Sequence, residues 1–302
     1  MLIRKPMLSA SMEDVNGNRA TFDTLKYPLL ASIKLDGIRA LKVNGQVLSR
    51  SFKPIPNAHI QKMMASLPDG LDGELVVVGE EFSGTSSGVM SRDGEPNFQF
   101  QIFDYVKDDL NKPFSQRLVD LRQLKLDGVL PSFCVIVEQF LISGPNELAA
   151  FEDTIVAQGH EGIMVRKPDS PYKCGRSSFK EGYLIKIKRF VDSEAEIIGF
   201  EERFRNENEA TLDELGHTKR SSSKDGLVPA NTLGTILVRD IYDGREFGIG
   251  TGKGLDDNLR KTIWENKDKY IGKLVKYRYQ EVGTKDLPRI PSFQGFRDES
   301  DM

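Results

Sequence analysis

The sequence predicts an α+β chain in two parts, an antiparallel-sheet domain carrying helices followed by a smaller β-barrel. Three observations carry this reading. Apolar runs of strand length recur through the first two-thirds, divided by turn residues and by helical periodicity. At Val191 the composition shifts, and residues 191–216 hold nine acids against two arginines, a local balance of −7. Beyond it, strand-like runs surround a single helical segment, the pattern of a small barrel of the OB type. A length of 302 residues agrees with two domains, set at 1–190 and 191–302.

Each element has a local reason. YPLLASI runs up to Lys34, and IRALKV (38–43) and QVLSRSF (46–52) flank Asn44-Gly45, a pair suited to the positive-φ positions of a two-residue hairpin. ELVVV (74–78) and FQFQIFDYV (98–106) follow, the latter alternating Phe98, Phe100 and Ile102 as a half-buried strand does. Pro113 opens QRLVDLRQL, where Leu118, Leu121 and Leu124 share one helix face, and PNELAAFEDTIVAQ (145–158) stops at Gly159. GIMVRK (162–167) and YLIKIKRF (183–190) complete the first domain. The polar stretch 203–232 reads as a long exposed loop. LGTILVRD (233–240), REFGIGTG (245–252) and KLVKYRYQEV (273–282) then surround the helical LRKTIWENK (259–267).

Composition excludes several classes. Lys+Arg 42 against Asp+Glu 45 leaves a net charge of −3, so bulk charge points to no polyanion. Cys134 and Cys174 stand alone beside three histidines, too few for a disulfide framework or a zinc cluster. No run of 18 apolar residues exists, and the opening MLIRKPMLSASM is too short in apolar residues for a secretory leader. A cytoplasmic protein without membrane contact is expected, in the host-cell cytoplasm if the source is viral. Gly250-Thr251-Gly252-Lys253-Gly254 imitates a phosphate loop but lacks its first glycine and its closing hydroxyl.

The most informative segment is Lys34-Leu35-Asp36-Gly37-Ile38-Arg39, a lysine at a strand end, a glycine that lets backbone approach a ligand, and an arginine five positions on. An ordered series follows it: Ser49-Arg50, Asp72-Gly73-Glu74, Phe103-Asp104, Arg117, Glu161-Gly162, Lys186 with Lys188, and finally Arg289-Ile290-Pro291-Ser292-Phe293 with Phe296-Arg297-Asp298. In this order the chain resembles the covalent nucleotidyltransferases, specifically the small bacteriophage-type ATP-dependent DNA ligases. The resemblance spans nearly the whole sequence and implies an adenylation (nucleotidyltransferase) domain followed by an OB-fold domain. It further implies ATP and Mg²⁺ as cofactors and nicked duplex DNA as the partner of a monomeric enzyme in DNA replication, repair and recombination.

By resemblance, Lys34 takes AMP onto its side chain, with Ser32, Ile33 and Leu35 beside it at the nucleotide. A lysine at its reference pKa is protonated at neutral pH, so Lys34 needs burial or neighbouring cations to become a nucleophile, and Lys186, Lys188 and Arg39 are the candidates. The same cations suit the α-phosphate and the departing pyrophosphate. Glu74 and Glu161 are carboxylates beside glycines, suited to a ribose hydroxyl or to Mg²⁺. The residues leave the division open, and the resemblance puts Glu74 near the ribose and Glu161 near the metal. Phe103 is read as an adenine-stacking ring or a core aromatic, Arg50 as a sugar or phosphate contact, and Arg297 as a residue brought to the pyrophosphate by closure of the OB domain. Many relatives carry an acidic or amide residue two before the lysine. Here Ser32 stands there, which leaves base selection to the backbone around Ile33.

DNA contacts are expected from local charge, since residues 161–190 and 258–289 each carry a balance of +5. Lys219, Arg220 and Lys224 in the 203–232 stretch are candidates, with Arg92 from the first domain. Arg117 reads as a phosphate clamp or a helix-surface charge. An mRNA-capping guanylyltransferase shares KxDGxR and an OB domain, but the RIPSF…FRD ending and the small size favour a ligase. An RNA ligase is disfavoured by the OB pattern, and a non-catalytic nucleic-acid binder by the filled reactive positions.

Overall fold

Asn44 and Gly45 adopt φ of 51° and 76°, the primed turn that their types favour, and the strand Ile38–Val43 folds back on Gln46–Ser49 with Val43 opposite Gln46. This hairpin begins the first of two five-stranded sheets in a computed structural model that describes residues 3–12, 20–212, 218–221, 223–280 and 287–297. The chain divides into two units, Met1–Lys188 and Arg189–Met302.

In the first unit the hairpin sheet runs Gln46–Ser49, Ile38–Val43, Leu71–Val77, Phe98–Tyr105, Cys134–Ile136, antiparallel except at its last neighbour. The alternation read at Phe98, Phe100 and Ile102 is its buried face, packed with Leu71, Leu75 and Leu121. The second sheet runs Ala10–Ser11, Ile185–Lys188, Gly162–Arg166, Leu29–Ile33, Phe140–Ile142. Ala31, Ile163, Val165, Ile185 and Ile187 face Leu148 and Ile155 of the helix Pro145–Ala157. Burying such apolar side chains contributes about 1.5–3 kcal/mol each. Two helices go beyond the periodicity: Ala58–Met63, capped by the Asn57 side chain on the Ile60 amide, and the Ser- and Gly-rich Phe82–Met90.

The second unit is a six-stranded sheet in the order Glu246–Ile249, Leu227–Asp240, Val191–Asn206, Leu274–Gln280, Arg289–Phe296, Thr251–Gly252. The helix Asp257–Glu265, capped by Asp256 on the Leu259 amide, adds Ile263 to a core of Ile197, Ile236, Val275, Tyr277 and Phe293. The loop expected at 203–232 is not a loop in its described part. Val191–Asn206 and Leu227–Asp240 continue as a paired ribbon as far as Asn206 opposite Leu227, and Ala210–Leu212 pairs with Thr218–Arg220. Main-chain hydrogen bonds build this ribbon with little apolar alternation, so a polar sequence conceals it. Residues 213–217 and 222 of the expected loop lie outside the described residues, as does Asp298 of the closing motif.

Candidate active site

The second sheet delivers its functional side chains in rows. Gly162 pairs with Lys188, and the Lys34 amide donates to the Gly162 carbonyl at 2.9 Å, so the two lysines flank a glycine. Glycine is required there. Gly162 has φ of +148°, and a Cβ would stand 2.2 Å from the Ile187 carbonyl oxygen. One step along, Lys186 pairs with Met164 and Met164 with Ser32. Residues two apart on a strand share a face, which puts Lys34 with Ser32 and Lys188 with Lys186.

Glu161 joins the two lysines. Its Oε2 accepts from Lys34 Nζ and its Oε1 from Lys188 Nζ, with the Glu161 side chain 3% exposed and that of Lys34 21%. Burial alone would raise the Glu161 pKa, but Lys34 and Lys188 outweigh it and hold the carboxyl below its ordinary range. Lys188 is lowered, by burial and by the charges of Lys34 and Lys186, against the pull of Glu161. Lys186 is also lowered, by burial first and then by Arg176, Lys34 and Arg50. The concentrated positive charge expected around Lys34 is therefore present.

From the hairpin sheet come Arg39 and Glu74, opposed in register. Arg39 forks onto Asp72 at 2.5 and 2.6 Å, and Asp72 also accepts from the Tyr172 hydroxyl at 2.7 Å. Burial would lower Arg39, yet Asp72 more than offsets this and holds it above its ordinary value. Its guanidinium lies 4.5 Å from the Phe103 ring centroid, over the ring. Glu74 is pushed up to about 7, by burial first, against the opposing charges of Arg39 and Lys34.

The two sheets contribute to a cavity of about 290 Å³, behind whose lining Glu161, Asp72 and Tyr172 hold the residues they pair with. It is lined by Ser32, Ile33, Lys34, Leu35, Arg39, Arg50, Glu74, Phe103, Lys186 and Lys188, which brings together ten of the residues picked from the sequence. Phe103 stands at the pocket rather than wholly in the core. Leu8, Ser9, Gln139, Met164, Arg166, Arg176 and Leu184 also line it and were missed. Met164 and Arg166 lie in GIMVRK, where steps of two and four residues from Gly162 put them on one strand face with it, which was the available signal. Arg176 is placed by the parallel pairing of Met7–Leu8 with Gly175–Arg176 and donates to the Ser9 carbonyl at 2.8 Å, a contact no local pattern reveals.

The remaining candidates lie elsewhere. Arg117 is neither a clamp nor a surface charge: it is fully buried and forks onto Asp104 at 2.7 and 3.0 Å, with Arg166 on the same carboxylate. The helix Phe114–Leu126 turns the Arg117 face inward together with Leu118 and Leu121. Arg297 belongs to the second unit, where it pairs with Glu194. Arg92 is exposed just after the helix Phe82–Met90. Arg220 is exposed at the end of the strand Thr218–Arg220 and Lys224 is exposed in the short turn Lys224–Gly226, while Lys219 lies in the same strand as Arg220 with its side chain outside those described. Among the described residues no three His, Cys, Asp or Glu side chains gather as a metal cage, and no helix is long and apolar enough to cross a membrane.

Comparison with known proteins identifies the family. The family described as ATP dependent DNA ligase domain matches residues 6–188, and the DNA ligase OB-like domain matches residues 228–297. The chain is 24% identical over 263 residues to a DNA ligase of Haemophilus influenzae, covering 87% of this chain and 84% of that protein. It is similar to the crystal structure of Chlorella virus DNA ligase-adenylate at 35% identity, TM-score 0.56, covering 98% of this chain and all of the other. A Lig E DNA ligase structure, at 24% identity and TM-score 0.71 over 98% of this chain and 100% of that one, shares the fold. With more than half its length matched, and a pocket built from the lysine motif, this chain belongs to the ATP-dependent DNA ligase family, as an adenylation domain followed by an OB-like domain.

Proposed function

We propose that the chain seals nicks in duplex DNA at the expense of ATP, with Lys34 as the nucleophile. The observation that carries the assignment is the Lys34–Glu161–Lys188 cluster, which holds one amine at the edge of a pocket rich in cations. Lys34 Nζ loses its proton to solvent and forms a bond to the α-phosphorus of ATP as the bond to the pyrophosphate oxygen breaks. AMP then passes to the 5′-phosphate at the nick, and the 3′-hydroxyl displaces AMP to close the strand. Glu161 orients the amine. Lys186, Lys188, Arg39 and Arg50 stabilise charge on the phosphates, supplying fixed cations in a partly dry site where they act most strongly. Glu74 is assigned to a ribose hydroxyl and Phe103 to the base, both supported by their place in the pocket lining.

Mg²⁺ fits the donor chemistry, because it takes one or two carboxylates together with substrate phosphates and water. Glu161, with Glu74, is the carboxylate that would hold it, and the ion when bound neutralises charge on the phosphates. Arg297 is assigned to the departing pyrophosphate by resemblance alone. We further assign nick binding to Arg92, Lys219, Arg220 and Lys224, and read the enzyme as a cytoplasmic monomer active in replication, repair and recombination.

The test is to incubate the protein with Mg²⁺ and α-labelled ATP or GTP, run a denaturing gel, and chase with nicked DNA. Label from ATP that leaves the protein as sealed product appears supports the reading. Adduct or sealing by Lys34→Ala refutes the choice of nucleophile, and label from GTP alone indicates capping chemistry.

A further inference from the structure

The row of side chains crossing the second sheet ends in a residue without a task. Leu29, Leu30 and Ala31 pair with Ile142, Leu141 and Phe140, and continuing that antiparallel register by one residue sets Gln139 against Ser32. On its other side Ser32 meets Met164, and Met164 meets Lys186. Directly opposed residues share a sheet face, and all four line the pocket. The row therefore has a cationic end at Lys186 and an amide end at Gln139. Phosphates belong with the cations, which leaves the uncharged base the end occupied by Ser32 and Gln139.

Gln139 is half-buried, and its amide is turned one way round. Its Nε2 donates to the Val137 carbonyl at 3.4 Å, and among the described residues no donor reaches its Oε1. Oε1 is thus open to accept from a ligand, with one Nε2 hydrogen already engaged on the main chain. Adenine carries an amino donor at C6, whereas guanine carries a carbonyl there, so one acceptor in this place attracts the first base and repels the second. A serine hydroxyl, which both donates and accepts, makes no such distinction.

We propose that Gln139 is the base-reading residue of this site, its Oε1 accepting from the adenine amino group and so selecting ATP over GTP where Ser32 does not. This rests on the nucleotidyl-transfer reading above, and the experiment separates the two. Wild type, Gln139→Glu and Gln139→Leu are each incubated with Mg²⁺ and α-labelled ATP, GTP or purine riboside triphosphate, which lacks the amino group. The efficiency of adduct formation is compared between nucleotides within each protein, so a partial loss of fold cancels.

Wild type is expected to favour ATP over purine riboside triphosphate about fivefold and over GTP about 30-fold. Gln139→Leu brings ATP and purine riboside triphosphate within about twofold. Gln139→Glu, which keeps the acceptor, keeps the preference for ATP over GTP. An unchanged ATP to purine riboside ratio in Gln139→Leu, or loss of the ATP preference in Gln139→Glu, overturns the assignment of Gln139 alone. A wild-type protein that takes no label from any of the three overturns both readings.

Discussion

Lys34 and Glu161 stand 127 positions apart in the chain and meet as an ion pair at the end of the strand Leu29–Ile33, where Lys188 completes the same carboxylate. Two ammonium groups around one carboxylate stay compatible only while the carboxylate is charged. Glu161→Gln leaves them facing each other without a counter-charge and frees Nζ of Lys34 from its orientation. Adduct formation should fall about 100-fold, read as label incorporated per minute at saturating ATP. A rate within about twofold of wild type would remove Glu161 from the site.

Glu74 gives the fold a pH signature. Its folded value of about 7 lies above the unfolded value of about 4.3. Below the unfolded value both states are protonated and the stability contribution is fully present. It is lost as pH rises through the folded value, because the unfolded chain releases its proton first. Glu74→Gln should therefore gain thermal stability relative to wild type between about pH 4.3 and 7, with the difference constant on either side. Melting curves of both proteins across that range decide it, and a difference that is flat throughout contradicts the burial argument.

Arg117 holds the Asp104 carboxylate together with Arg166, all three in the interior. Asp104 lies below its ordinary pKa because these two arginines overcome the burial that would raise it. Arg117→Ala removes one partner of a buried pair and should cost about 3–5 kcal/mol, measured by urea unfolding. A loss below about 1 kcal/mol would match a surface charge instead.

Arg220, at the end of the strand Thr218–Arg220, and Lys224, in the turn Lys224–Gly226, are both exposed in the second unit. If each meets a DNA phosphate, replacing both by Ala weakens binding to nicked duplex regardless of sequence. The slope of log affinity against log salt should fall by about 1.8. Affinity measured at several salt concentrations tests this, and an unchanged slope would take both residues out of the interface.

Much of the site was readable because its chemistry is concentrated in short segments. Lys34, Asp36 and Arg39 fall within six residues, Lys186 and Lys188 alternate on one strand, and Asn44-Gly45 announces its own turn. Local spacing failed where the surroundings of a residue depend on a partner far away. Arg117 reads locally as a phosphate clamp or a surface charge because an interior arginine needs a buried carboxylate, and Asp104 comes from another element. The ribbon at Val191–Asn206 and Leu227–Asp240 looked like a loop because its pairing is made by main-chain atoms common to every residue.

The sequence by itself determined the family and the order of an adenylation domain before an OB-like one, and it named the lysine and carboxylates to which the chemistry is here proposed to belong. Only the tertiary structure decided which side chains share a pocket. Register across the second sheet brought Lys188 to Glu161, the strand Phe140–Ile142 beside Leu29–Ile33 carried Gln139 to the same pocket as Ser32, and the pairing of Met7–Leu8 with Gly175–Arg176 put Arg176 in its lining. Register depends on how distant strands bury their apolar faces against a common core, and shifting it by one residue would turn every one of these side chains to the other face of the sheet.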